Sequence, residues 1–169
     1  MMTAQSNSRG HLYGANAQPV IRVSLVIVLF TLAYAVVVFA VGVVPLNILI
    51  GKLISPNGMQ RVWWNSLLRL VERTAIAAAA CWLGLALTGR IRGRLTGPGM
   101  LALGATMSGA LAGAVDVGLQ RHWVAYLIKA AQASPARGTA LSSAITAAVS
   151  LLVTLLLITR STRALLEER

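Results

Sequence analysis

From Val23 to Val44 the chain carries no charged residue. That run exceeds the ~20 residues a helix needs to cross a bilayer core. In lipid the backbone must satisfy its own hydrogen bonds, which a single segment does only as a helix. Composition extends the constraint to the whole chain. Of 169 residues, 57% are hydrophobic and 11% charged, whereas soluble domains carry about 25% charged residues. A disordered chain and a disulfide scaffold are excluded, a soluble enzyme is disfavoured, and the length suits one domain. The net charge of +11 comes from 15 Lys+Arg against Glu72, Asp116, Glu167 and Glu168. The basic residues lie mostly between apolar runs, as membrane-topology signals do. No stacking aromatics are interleaved with them, so no nucleic-acid partner is expected.

The pattern predicts an all-α integral membrane protein with four transmembrane helices and interfacial elements in the two outer loops. Residues 1–19 are polar and small and read as a flexible cytoplasmic tail without the apolar core of a secretory signal. Span one is Val23–Val44, ended by Pro45, which has no N–H for the helical ladder. Leu46–Asn65 mixes apolar residues with Lys52, Ser55, Pro56, Asn57 and Gly58, and is expected at the interface, anchored by Trp63 and Trp64. Span two has an uncharged part, Thr74–Gly89, that is too short alone, so it must start near Leu70 and carry Glu72 and Arg73. Span three is Met100–Leu119, with Ala105, Gly109 and Gly113 repeating every fourth residue on a face that permits close helix contact. After an interfacial stretch over 120–137, span four is Gly138–Thr159. The four-helix membrane domain thus covers 20–163, leaving 164–169 as a cytoplasmic C-terminal tail. Arg90, Arg92 and Arg94 crowd the short middle loop, which places that loop and both termini in the cytoplasm.

Asp116 is the one acid within the lipid-spanning core apart from Glu72 at its edge. An ionisable residue at that depth is a functional candidate by default; the alternative is a carboxylate paired with Arg121 or Arg73 to fix packing. Glu72 and Arg73 either snorkel to the interface or line a polar cleft with Asp116. Neither His11 nor His122 has ligand spacing to another metal-binding residue, so no metal and no cofactor are expected. Cys81 reads as a small packing residue.

Three stretches carry a family resemblance. Ser108-Gly-Ala-Leu-Ala-Gly-Ala-Val-Asp116 resembles the G-G-A-x-G-N-x-x-D motif of lipoprotein signal peptidases (signal peptidase II). Thr139-Ala-Leu-Ser-Ser-Ala-Ile-Thr146 is similar to that family's F-N-x-A-D-S-A-I-T, and Val71-Glu-Arg-Thr-Ala-Ile-Ala77 to its V-R-N-T-G-A-A. Val124-Ala-Tyr-Leu127 falls where the family has V-V-D-F-I. The resemblance covers roughly residues 20–160 and implies a bacterial inner-membrane protein related to aspartic peptidases of prolipoproteins. It places the first catalytic aspartate at Asp116 and the second at Ser142, where a hydroxyl cannot replace a carboxylate as general base. Gly113 and Arg73 stand where the family has asparagines, Thr139 where it has another, and Val117 where it has an arginine.

The resemblance and its departures lead to an expected function: a signal-peptidase-II-like, non-catalytic protein. It would hold a membrane lipid, a lipoprotein signal helix or a partner's transmembrane helix in a cleft formed by Glu72, Arg73, Gly113 and Thr139. Two alternatives stand beside it. One is an active aspartic endopeptidase with Glu72 as replacement carboxylate. The other is a structural subunit of a larger membrane complex, docking through the Ala105/Gly109/Gly113 face.

Overall fold

The computed structural model describes residues 10–51, 56–88 and 98–158. The arginine-rich middle loop, Lys52, residues 1–9 and the residues from 159 onward lie outside these, and with them the charges that set the expected orientation.

Every described element is a helix or a short link between helices. Helix α1 spans Gly10–Val37. Its side chains at Val26, Phe30 and Tyr34, continued by Val38, are buried at four-residue spacing, while Leu25, Val28, Leu32 and Val36 are exposed. A helix apolar on every side is what a membrane span requires. The helical backbone begins at Gly10, within the segment read as tail, and runs on through Pro19.

Pro45 does not end the first span. The chain widens into a π-helical turn over Val38–Val43 and continues as α2, Val44–Gly51. The membrane-length helical run is Val20–Leu49. Pro45 has no N–H to offer the carbonyl one turn back, at Val41. The Arg121 guanidinium, from a different helix, donates to the Val41 oxygen instead. Asn47, fully buried, donates from Nδ2 to the Val43 carbonyl at 2.9 Å. Side chains thus serve carbonyls in the disturbed stretch of helix, which lets it persist in lipid.

Helix α3 is continuous over Pro56–Thr88, so span two starts well before Leu70. Pro56 at its first position is tolerated because that residue needs no intrahelical N–H bond. The stretch expected at the outer interface after span one is therefore built from the ends of α2 and α3. Helix α4 spans Pro98–His122, α5 Val124–Ala133 and α6 Pro135–Val153, with a second π-helical turn over Thr154–Ile158. Helix α5, with Tyr126, Ile128 and Lys129 exposed, lies between spans three and four, where an interfacial element is expected. Four helical runs are long and apolar enough to cross a membrane: Val20–Leu49, Met59–Leu87, Leu101–His122 and Pro135–Leu157.

The four runs form a bundle in which α1 packs on α3 and α4, and α6 packs on α3 and α4. Lipid tails are as apolar as leucine, so close packing and hydrogen bonds rather than apolar burial hold such helices together. The small-residue face of α4 supplies the packing. A Cβ at Gly109 would collide with the backbone carbonyl of Phe30, and one at Gly113 would sit 3.0 Å from the Tyr34 carbonyl oxygen. Ala105 is buried on the same face. A Cβ at Gly84 on α3 would meet Thr154 Cγ2 at 2.9 Å, and one at Gly138 on α6 would meet the Ala131 Cβ at 2.6 Å. Hydroxyls within the spans turn back onto their own helices: Thr31 to Ile27, Thr74 to Leu70 and Thr154 to Ser150, at 2.6–2.7 Å.

Candidate functional site

Asp116 is fully buried where α1, α4 and α6 meet. Tyr34 Oη donates to its Oδ2 at 2.6 Å, Gln120 Nε2 to its Oδ1 at 3.0 Å, and Thr146 Oγ1 lies 3.2 Å from both oxygens. Each partner follows from helical spacing. Gln120 is one turn beyond Asp116 on α4, Tyr34 belongs to the buried stripe of α1, and Thr146 projects from α6. A carboxylate in a low-dielectric bundle requires such donors, because an unserved one costs several kcal/mol (~3–5 when a partner is removed). Neither Arg73 nor Arg121 pairs with it among the described residues, so the expected arginine pairing is replaced by the neutral donors Tyr34, Gln120 and Thr146.

Gln120 connects this core to a second layer. Its Oε1 accepts from Ser142 Oγ at 2.9 Å and from the Arg73 guanidinium, and Arg73 Nη2 also donates to Ser142 Oγ at 3.2 Å. Arg73 therefore belongs to the Asp116 cluster through Gln120. Glu72 does not. Its Oε1 accepts from Ser143 Oγ at 3.2 Å, and its Oε2 lies 3.9 Å from Arg69 Nη1. Successive residues on a helix do not face the same way, so Glu72 and Arg73 separate. Of the Glu72–Arg73–Asp116 cluster expected from charge depth, Arg73 and Asp116 share one network, bridged by Gln120, and Glu72 stands outside it. Nor does Ser142 oppose Asp116; Thr146, one turn further along α6, does.

Beside this network lies a cleft of about 810 Å³ between the end of the first span, the start of α3, the end of α4, α5 and the start of α6. Arg73, Thr139 and Ser142 line it; Glu72, Gly113 and Asp116 do not. Gly113 instead serves the α1–α4 contact. Thr139 Oγ1 donates to the Pro135 carbonyl at 3.0 Å and accepts from Arg69 Nη1 at 3.3 Å. Arg69 and Arg121 also line the cleft, with Asn65, Ser66 and Gln120 as further polar groups and Leu46, Leu49, Val124, Leu127 and Ile128 among the apolar walls. No carboxylate is among the described lining residues. No group of three His, Cys, Asp or Glu side chains able to hold a metal occurs among the described residues.

Reasoning from sequence missed Tyr34, Gln120, Thr146 and Arg69. Gln120 carried a usable signal, four residues after Asp116 on the same helical face. Tyr34 carried none, because its link to Asp116 spans 82 positions.

The fold and site define a multi-pass helical membrane protein with a buried carboxylate network opening, through Gln120 and Arg73, onto a basic cleft. Compared with known proteins, the chain matches no family model, no curated protein and no solved structure.

Proposed function

We propose that this chain is a non-catalytic membrane protein of signal-peptidase-II-like plan. It sits in a bacterial inner membrane with both termini in the cytoplasm and holds a membrane-embedded ligand in the cleft: a lipid, a lipoprotein signal helix or a partner's transmembrane helix. The observation that carries the reading is the enclosure of Asp116. An aspartic peptidase divides proton transfer between two neighbouring carboxylates that share a water. Here Asp116 is fully buried, its oxygens are taken by Tyr34, Gln120 and Thr146, and α6 brings hydroxyls instead of a second acid. Glu72, the candidate replacement, bonds to Ser143 and faces Arg69. The structural-subunit alternative loses its docking surface, since α1 already covers Gly109 and Gly113.

The test is incubation of purified protein with a lipid-modified prolipoprotein. The substrate is expected to stay uncleaved, while a photo-reactive side chain at Leu127 cross-links to an occupant of the cleft. Cleavage by the unmodified protein that Asp116→Asn abolishes overturns the reading.

A further inference from the structure

We infer that the cleft is a binding site for an anionic phospholipid, with the phosphate held among Arg69, Arg73 and Arg121 and the acyl chains against the apolar walls. The site rests on the ligand-holding half of the reading above and not on its non-catalytic half.

The charge arrangement asks for an anion. Arg69 and Arg73 stand one turn apart on α3, a like-charged spacing that is unfavourable on a helix by itself. Arg121 approaches the same space from α4. The nearby carboxylates offset at most one of the three. Asp116 is sealed behind Gln120, and Glu72 meets Arg69 at 3.9 Å, outside the described cleft lining. Positive charge at membrane depth is retained where it pairs with something, and the described cleft lining offers the three arginines neutral acceptors but no anion.

The donors that remain suit a phosphate. A guanidinium has five N–H groups in a planar fork matched to phosphate oxygens. Arg69 uses one on Thr139, Arg73 spends one nitrogen on Gln120 and Ser142, and Arg121 one on Val41. These bonds fix where the forks sit and leave the other donors for a ligand. Toward the bundle interior, one turn deeper than Arg121 and the Val41 carbonyl it serves, Val38 and Val117 form an apolar wall, and Leu46, Leu49, Val124 and Ile128 form another nearer the span ends. A small hydrophilic anion would leave those walls without an occupant, whereas a phospholipid brings acyl chains to them. The cleft, at about 810 Å³, lies within the ~300–1,000 Å³ of small-molecule sites, enough for a headgroup and the upper parts of two chains.

The experiment compares spin-labelled phosphatidylglycerol with spin-labelled phosphatidylcholine on the full chain reconstituted in phosphatidylcholine bilayers. The immobilised fraction gives the relative affinity. Phosphatidylglycerol is expected to be selected severalfold, and changing any one of the arginines to glutamine should remove a large part of that selectivity, by at most about fivefold. Arg69→Gln is the variant least able to disturb folding, because the Arg69 side chain is 56% exposed. Selectivity of the unmodified protein is a second measurement that needs no variant. Equal retention of both lipids overturns the site. So does full displacement of labelled phosphatidylglycerol by inorganic phosphate, which would assign the arginines to a free anion. Displacement of the lipid by a transmembrane peptide bearing a carboxylate, with no selectivity between the two lipids, would assign the cleft to a partner helix. Prolipoprotein cleavage is read separately: a protein that cleaves and still selects phosphatidylglycerol keeps the site and loses the non-catalytic reading.

Discussion

Tyr34 Oη donates to Asp116 Oδ2 at 2.6 Å, joining the first and third spans across the buried centre of the bundle. The bond stands directly beside a close helix contact, since a side chain at Gly113 would sit against the Tyr34 carbonyl. Close backbone approach and polar pairing thus occur at one level of the membrane, each placing the groups the other needs. Tyr34→Phe leaves the carboxylate short of a donor and is expected to cost about 1–3 kcal/mol. Thermal unfolding in detergent measures it, and a variant as stable as the parent would show that Thr146 and Gln120 suffice.

Gly109→Ala is expected to separate α1 from α4. Its Cβ would meet the Phe30 carbonyl, which belongs to a helix backbone and cannot rotate aside. Overpacking of this kind costs on the order of 1–3 kcal/mol. The loss should appear as a lower unfolding temperature, and Gly104→Ala, with open space around the new methyl, serves as the control.

Ser150→Ala is expected to leave stability unchanged or raise it. The Ser150 hydroxyl is buried and is the side-chain polar atom without a hydrogen-bond partner among the described residues. Removing an unserved polar group recovers its desolvation cost, about 1–3 kcal/mol at most. A clear fall in unfolding temperature would point to a partner such as a bound water.

Ser142→Asp is expected to produce little or no peptidase activity. A carboxylate at 142 would meet Arg73 and Gln120, the present partners of Ser142; Thr146 is the residue that faces Asp116. Prolipoprotein processing by this variant, read on a gel, checks it directly, and strong cleavage would mean that the two carboxylates do reach one water.

Single cysteines placed near Arg92, in a Cys81→Ala background, should react with a membrane-impermeant maleimide only from the cytoplasmic side. Labelling from the outside would reverse the orientation proposed for all four spans.

Spans one and four were legible because an uncharged run of membrane length leaves the backbone one solution. The Gly109/Gly113 contact was legible because small residues at four-residue spacing fall on one face. Asp116 was recognisable as a buried group needing partners, though its depth alone does not say which helix supplies them. Tyr34 was hidden for that reason. Pro45 misled because the usual rule concerns its missing N–H, while the substitute donor, Arg121, comes from a different helix. Glu72 misled because depth along a helix says nothing about direction around it.

Gly84 and Thr154 hold α3 and α6 together at the end away from the cleft, with no room for an added methyl. At the cleft end the same two helices are joined by side-chain hydrogen bonds: Arg69 to Thr139 at 3.3 Å, Glu72 to Ser143 at 3.2 Å and Arg73 to Ser142 at 3.2 Å. The pair therefore has the mechanics of tongs, with a fixed pivot and a releasable latch. From Gly84 to Arg69 the lever is about 22 Å at 1.5 Å per residue. A swing of about 5° at the pivot moves Arg69 by about 2 Å, enough to part it from Thr139.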